Sequence, residues 1–301
     1  MAGAPPSNTA PANYSSQAIA QVLRGCPDSL YLSFPGTISP DWDTRLRLCK
    51  DAAVSPFENE RAGSQVRIGD HLFEVGSKGT GLFAYVLTDN WFRIAVASSE
   101  SRQLPLCYCQ ISSEVLTQQG QQESVKALSA IVSELGVLAG GPNVSRVDLC
   151  VDFVPECPMY FENRAWVRRA RKIDQYSDGP DYTGCVIGKG GVVLARIYDK
   201  TAEIKLSGKQ YLWDIWSAAG WDGIAPVWRL EFQFKRAFLV EMGLSSEFDV
   251  TAAYPRLWQY ATREWLRLTQ PVPGDDNQSR WPTHPLWQLL QSFVWGNAGP
   301  A

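Results

Sequence analysis

Apolar and ionisable residues alternate strictly along two segments in the second half of the chain, residues 145–153 and 227–235. Because successive side chains of a β-strand point to opposite faces of a sheet, this period of two predicts two strands that each have one apolar and one polar face. Residues 193–198 alternate in a similar way and lead into the run RIYDK at 196–200. If the three strands lie in one sheet, their polar faces form a common surface. The ionisable side chains predicted on this surface are Arg146, Asp148, Cys150, Asp152, Arg196, Tyr198, Arg229, Glu231 and Lys235.

The rest of the pattern predicts helices and mainly antiparallel strands without regular βαβ alternation, so we expect an α+β fold with a central sheet flanked by helices. Ser112 and Ser113 offer N-caps to an amphipathic helix, whose continuity through Gly120 is left open. Strands are expected at 30–34, 65–75, 82–87, 91–97 and 104–111, and a hairpin at 182–198. Helices are expected at 42–50, 161–172, 201–216 and 236–242.

The same pattern divides the chain into four segments. Residues 1–17 are small residues and proline, which predict a disordered tail, and residues 18–140 are expected to form an amino-terminal α+β half. Residues 141–243 contain all three alternating strands and are therefore the half expected to carry the chemistry. Residues 244–301 have apolar residues at roughly helical spacing, which predicts a carboxy-terminal helical segment.

Composition places the chain among ordinary globular proteins. Of its 301 residues, 45% are hydrophobic, which is enough to bury one large core or two modest ones. No stretch approaches the roughly 20 consecutive apolar residues that cross a bilayer. The amino terminus also lacks a basic segment that leads into an apolar one. We therefore expect a cytoplasmic protein without a membrane partner.

Cysteine and histidine usage limits the kinds of metal site that the chain can form. The seven cysteines are scattered and do not form two zinc-type pairs, which favours free thiols in a reducing compartment. Only two histidines are present, His71 and His284, and they lie far apart in sequence. A bound metal would therefore be held largely by carboxylates, which favour Mg²⁺, Mn²⁺ or Ca²⁺ over zinc.

The net charge of -3 gives no overall signature of nucleic-acid binding, so local basic patches must supply one. Residues 161–172 form such a patch, and helical spacing would place three of its arginines on one helix face. We weigh equally a phosphate-contacting face and a solvated surface helix with Trp166 and Val167 packed inward. The basic residues of the patch are Arg164, Arg168, Arg169, Arg171 and Lys172.

Tyr198 is the candidate with the most reactive surroundings. A phenol becomes a useful nucleophile when its proton can leave and its target phosphate is polarised by cations or a divalent metal. Arg196 and Lys200 are nearby cations, and carboxylates from the neighbouring strands are candidate metal ligands. The alternative is a packed tyrosine at a strand end, among carboxylates that only form surface ion pairs. The candidate ligands are Asp148, Asp152 and Glu231.

Five stretches between residues 105 and 287 stand out by their order and compatible spacing. They are VSRVDLCVDF, TGCVIGKGGVVLARIYDKTAEI, WDGIAPVWRLEFQFKR, LWQYATREWLRL and SRWPTHPLW. Together they resemble the replication initiation proteins of phages and plasmids, in the relaxase-like Rep family that acts in rolling-circle replication. The region before residue 105 is less diagnostic.

The resemblance implies a sequence-specific, metal-dependent DNA endonuclease and strand transferase that nicks one strand at an origin through a 5'-phosphotyrosine intermediate. Tyr198 matches the tyrosine of the family's R-x-Y-x-K segment and is implied to be the nucleophile. Asp148 and Glu231 match the acidic residues around the site, and Asp152 is a weaker match. Many rolling-circle nucleases hold metal through a histidine-hydrophobic-histidine strand, which this sequence lacks, so a carboxylate site for Mg²⁺ or Mn²⁺ is expected instead. The residues implied to contact or polarise phosphates are Arg146, Arg196, Lys200 and Arg229.

Origin DNA, single-stranded and duplex, is the expected partner. Host helicase, host polymerase and a second copy of the chain are further candidates. Two other interpretations remain open at this point. One is a non-catalytic origin-binding, single-strand-binding or copy-control protein on the same fold, and the other is a structural protein whose charged faces only meet solvent.

Overall fold

The structure of the chain, a computed structural model, describes residues 19–296, without the side chains of residues 59 and 60. The tail predicted at residues 1–17 lies outside the described residues. Within the described range, no helix combines the length and the apolar character that crossing a bilayer requires.

Antiparallel strands and short helices make up the molecule, which confirms the predicted α+β class. The strands are β1 (Ala20–Phe34), β2 (Gly36–Ile38), β3 (Gln65–Ile68), β4 (His71–Val75), β5 (Tyr85–Thr88), β6 (Phe92–Val96), β7 (Cys107–Ile111), β8 (Gly136–Leu138), β9 (Asn143–Pro155), β10 (Trp166–Arg168), β11 (Ile173–Asp178), β12 (Asp181–Ile187), β13 (Val193–Asp199), β14 (Trp228–Lys235) and β15 (Leu266–Leu268). The helices are α1 (Pro40–Val54), α2 (Glu58–Arg61), α3 (Ser113–Gln119), α4 (Gln121–Leu135), α5 (Lys200–Ser207), α6 (Tyr211–Ala218), α7 (Arg236–Glu241), α8 (Glu247–Ala252), α9 (Tyr254–Gln259) and α10 (Pro285–Gln291).

Eleven strands form one sheet in the order β11-β12-β13-β14-β9-β1-β7-β6-β5-β4-β3. The long strands β1 and β9 pair at its centre and divide it into two halves of similar topology. In each half the chain passes from the central strand to an edge strand, β3 or β11, and returns through consecutive strands to the central strand's other neighbour, β7 or β14. The polar strands β13, β14 and β9 are therefore adjacent.

Local signals fix several helix ends. The Ser112 hydroxyl caps α3 by accepting a hydrogen bond from the backbone N–H of Val115 at 3.4 Å. Gly120 separates α3 from α4, because its φ of +76° lies outside the helical range. A residue with a Cβ would adopt this backbone only at an energetic cost. Asp199 caps α5 by accepting a hydrogen bond from the backbone N–H of Ala202 at 2.9 Å.

The apolar face of the sheet packs against the carboxy-terminal helices. Phe232 is fully buried, and its ring centroid lies 5.5 Å from that of Trp258 and 6.2 Å from that of Trp265. The opposite, polar face meets α6 at one end, where the Trp216 indole donates to Asp152 at 3.0 Å. Most of the core therefore lies on one side of the sheet.

The prediction of a basic helix at residues 161–172 is wrong. This segment forms a short 3₁₀ turn followed by β10, which pairs with β15 through the register Trp166↔Leu268. Trp166 is buried, and its ring packs edge-on against those of Phe161 and Trp287. Burial of this side chain and the strand pairing together outweigh the helical spacing of the arginines.

Two other expectations need correction. The helix predicted at 201–216 is divided into α5 and α6, because Gly208 at φ +72° ends α5 with a left-handed cap. The carboxy-terminal segment is helical over α8, α9, a π-helical turn and α10, but Leu266–Leu268 is a strand and a long loop precedes α10.

Candidate active site

Strand pairing brings the predicted polar residues together. Tyr198 of β13 lies opposite Arg229 of β14, which lies opposite Asp152 of β9. Two residues along the same strands, Arg196 lies opposite Glu231. Since residues directly opposite each other share a face, the common polar surface predicted from the sequence is present.

The Tyr198 hydroxyl donates a hydrogen bond to Oε2 of Glu231 at 3.2 Å. The side chain is half-buried, and burial, with Glu231 as the next cause, raises the pKa of the phenol well above its usual 10. The phenol is therefore protonated at neutral pH. A nucleophilic Tyr198 needs a proton acceptor, and the Glu231 carboxylate occupies that position.

Arg196 and Arg146 are the cations of the site that reach solvent. Arg196 bonds Oε1 of Glu231, and its side chain is 32% exposed. Arg146 donates to both oxygens of Asp148, and its side chain is 25% exposed. Either guanidinium can therefore replace its bond to a carboxylate with a bond to a phosphate oxygen of an approaching ligand.

Arg229 was predicted to contact phosphate, but its position is structural. Its side chain is fully buried and donates to Asp152 through Nε at 2.6 Å and Nη2 at 2.8 Å. A third nitrogen, Nη1, donates to Asp28 at 2.5 Å. These bonds hold the strands beneath Tyr198 together, and they leave Arg229 inaccessible to DNA.

Lys200 is likewise buried, and its ammonium pairs with Glu203 and lies 5.6 Å from the ring centroid of Tyr198. Burial, followed by the charge of Arg229, lowers its pKa. Its position beside the Tyr198 ring favours a positioning role over direct phosphate contact.

Two charged residues of this ionic network were not predicted from the sequence, in which the first strand is expected only from residue 30. Arg24 lies 3.9 Å from Asp152, and Asp28 pairs with Arg229. Both belong to β1, where Gly25 and Pro27 hide the apolar alternation. The spacing of two between polar residues at 24, 26 and 28 is the signal that indicates this strand.

Asp152 does not fit the metal-ligand role predicted for it. Both of its oxygens accept hydrogen bonds from Arg229, Oδ2 also accepts from the Trp216 indole, and the side chain is fully buried. Within residues 19–296, no group of three or more His, Cys, Asp and Glu side chains is placed to hold a metal ion.

Asp148 and Glu231 are the other predicted ligands. Their oxygens accept hydrogen bonds from Arg146, Arg196 and Tyr198, which a metal would have to replace in part, so metal binding by this pair stays a prediction. Magnesium is commonly held by one or two carboxylates together with waters and substrate phosphates, so three protein ligands are not required. The pKa of Asp148 is raised to about 7, mainly by burial. The hydrogen bond from Arg146 lowers this pKa, and the negative charge of Glu231 raises it further. A cation between two carboxylates that repel each other would relieve this repulsion.

Within residues 19–296, the ion pairs of the predicted DNA-binding arginines at 164–172 involve no residue of this cluster, and two of these arginines are neutralised by glutamates. Arg164 is 62% exposed and pairs with Glu162, and Arg169 pairs with Glu264. Arg168 is half-buried and donates to nearby backbone carbonyls, whereas Arg171 and Lys172 are exposed. Their contact with DNA stays a prediction.

Gly184 makes room for Tyr198. It lies opposite Tyr198 on β12, has φ +148°, and a Cβ added to it would lie 2.8 Å from Cβ of Tyr198 and 2.4 Å from the carbonyl oxygen of Ile197. We expect Gly184→Ala to lower the free energy of unfolding by more than about 1 kcal/mol, measured by urea denaturation. Gly141→Ala, with no neighbour within 4 Å of its added Cβ, is the control, and equal stability of the two variants would contradict this role for Gly184.

Comparisons with known proteins support the fold. No family model matches the chain, and no curated protein matches it. Among solved structures, the chain is similar to the one described as "Structure of Rolling Circle Replication Initiator Protein from Geobacillus stearothermophilus", with 14% sequence identity and a TM-score of 0.53. The match covers 91% of this chain and 98% of that one. The chain thus has the fold of a rolling-circle replication initiator over nearly its whole length.

Proposed function

We propose that the protein is a rolling-circle replication initiator that nicks one strand of its origin with Tyr198. The observation that carries the proposal is the bond from the Tyr198 hydroxyl to Glu231, flanked by the part-exposed guanidiniums of Arg196 and Arg146. These groups lie on the polar face of a sheet whose fold is similar to that of a replication initiator. On this proposal, one polar face combines a nucleophile, a proton acceptor and cations that bind phosphate.

In the proposed reaction, the Tyr198 oxygen attacks the scissile phosphorus while its proton passes to Glu231. The bond from phosphorus to the 3' oxygen breaks, and that oxygen takes a proton from solvent water to become a free 3' hydroxyl. The 5' phosphate stays bound to Tyr198 as a phosphodiester, which conserves the bond energy for rejoining. Arg196 and Arg146 stabilise the charge that develops on the phosphate oxygens.

Divalent metal is a further part of the proposal. Asp148 and Glu231 would hold Mg²⁺ or Mn²⁺ in place of the hydrogen bonds that these carboxylates accept from Arg146 and Arg196, while the bond from Tyr198 to Glu231 is kept. As a Lewis acid, the metal would supply polarisation of the scissile phosphate. Host helicase, host polymerase and a second copy of the chain remain predicted partners.

The test is nicking of a supercoiled plasmid that carries the origin of the encoding replicon. We expect open circles in the presence of Mg²⁺ and a loss of at least about 100-fold in rate after chelation, because a metal contributes several kcal/mol to phosphoryl transfer. Added Mn²⁺ should restore the rate. A mobility shift without nicking would support the alternative of a non-catalytic DNA-binding protein, and undiminished nicking in EDTA would contradict the metal.

A further inference from the structure

The polar face continues from the candidate active site across β9 and β1 into the first half of the sheet. Arg146 lies opposite Tyr31 of β1, and its guanidinium carbon lies 4.7 Å from the centre of the Tyr31 ring. Tyr31 in turn lies opposite Gln110 of β7, which lies opposite Arg93 of β6. These side chains share the face that carries Tyr198.

Three aromatic rings adjoin one another on this face. The rings of Tyr31 and Tyr108 are 5.9 Å apart between centroids, and those of Tyr108 and Phe83 are 6.3 Å apart. The interplanar angles are 39° and 36°. All three residues are half-buried, so part of each remains accessible to solvent. We call Tyr31, Tyr108 and Phe83 the aromatic row.

Cations border the aromatic row on both sides. Arg146 lies between it and the candidate active site, and Arg93 is exposed beside it. None of the ion pairs within residues 19–296 includes Arg93, so its charge is free for a ligand. An unpaired guanidinium beside half-buried rings favours a polyanion that also presents flat aromatic groups.

We propose that the aromatic row, with Arg93 and Arg146, binds single-stranded DNA that leads to Tyr198. The rings stack on bases, and the two arginines contact phosphates. This inference rests on the proposed function, whose substrate path it defines. From β13 to β7 the sheet advances by four strand spacings, about 19 Å, which is long enough for several nucleotides of an extended strand. A duplex would present its bases inside the helix, so stacking on the row selects single strands.

The first test measures the affinity of the full chain for a fluorescein-labelled single-stranded oligonucleotide and for the same sequence as a duplex. Tyr31→Leu and Tyr108→Leu each remove a ring while keeping an apolar side chain. We expect each to weaken single-strand binding about 10-fold or more, with a much smaller effect on the duplex. Tyr31→Phe should retain affinity, because it keeps the ring.

Tyr160→Leu is the matched control, because Tyr160 is 59% exposed and its ring packs against Tyr182 outside the aromatic row. We expect its affinity to be unchanged. Wild-type single-strand affinity in folded Tyr31→Leu and Tyr108→Leu would overturn the proposal, and so would an equal loss in Tyr31→Phe. Thermal melting of each variant establishes that it is folded.

Arg93→Gln provides a second measurement that does not depend on the packed rings. We expect the slope of log K against log salt for the single strand to fall by about 0.7, which corresponds to one lost phosphate contact. An unchanged slope would overturn the role of Arg93. Covalent adduct formation by Tyr198, measured in parallel, separates the two proposals. If adducts form but single-strand binding does not depend on the rings, only the role of the aromatic row is refuted. If binding depends on the rings but no adduct forms, only the role of Tyr198 as nucleophile is refuted.

Discussion

Tyr198→Phe is expected to abolish the covalent protein–DNA adduct and to reduce origin nicking at least about 1,000-fold, because it removes the attacking oxygen. The variant should fold normally. Its ring keeps its place beside Lys200, and the hydrogen bond to Glu231 is the one contact of the hydroxyl in the described structure. The adduct is measured by denaturing gel electrophoresis with labelled origin DNA and is mapped by mass spectrometry.

Tyr176→Phe is the matched control for this experiment. Tyr176 is 45% exposed on β11 and lies in the same cross-strand row, since it is opposite Gly184, which is itself opposite Tyr198. We expect Tyr176→Phe to form adducts at the wild-type rate. An adduct that persists in Tyr198→Phe, or that maps to Tyr176, would show that Tyr198 is not the nucleophile.

Arg229→Met is expected to lower the free energy of unfolding by about 3–5 kcal/mol at neutral pH. The substitution introduces an apolar side chain of similar length, but it removes both hydrogen bonds from Arg229 to the buried Asp152 carboxylate, whose other cationic neighbour, Arg24, lies 3.9 Å away. Asp28 loses a partner as well, although it is 14% exposed and can recover part of its hydration. Urea denaturation followed by tryptophan fluorescence measures the loss.

Two further variants separate the network from general effects of removing an arginine. Arg229→Lys keeps the charge but cannot reproduce the two parallel bonds to Asp152, so an intermediate loss is expected. Arg164→Met removes an exposed arginine of a surface pair and should change stability by less than about 1 kcal/mol. Equal stability of Arg229→Met and Arg164→Met would show that the buried network does not hold the site together.

Strand periodicity was sufficient to predict the centre of the candidate site. Residues on β9, β13 and β14 alternate in the sequence because one face of each strand packs on the apolar core while the other carries the ionic network, so the shared face of Tyr198 and Glu231 follows from a period of two. The ion-pair partners and the burial of each side chain on that face do not follow from the period of two. Sequence spacing treats Arg196 and Arg229 alike, yet one reaches solvent and the other is buried between Asp152 and Asp28.

Tertiary contacts account for the remaining failures. The arginines at 164, 168 and 171 have helical spacing, but pairing of β10 with β15 depends on residues about one hundred positions later in the chain. Residues 20–29 of β1 lack a clear apolar alternation, and their strand partners lie on β9, more than 100 positions later in the chain. Long-range strand pairing of this kind overrides local propensity and cannot be recognised from a short window of sequence.

The central pairing of β1 with β9 also affects how the protein folds. Cys26 and Cys150 lie opposite each other across 124 positions of sequence, so the two halves of the sheet join only through a long loop closure. Contacts of such high sequence separation slow folding, because chain entropy is lost before the contacts form. On the ribosome, β1 must wait for β9 and β14 to emerge before Asp28 meets Arg229. Nicking competence is therefore expected to appear late in folding, after most of the chain has been synthesised.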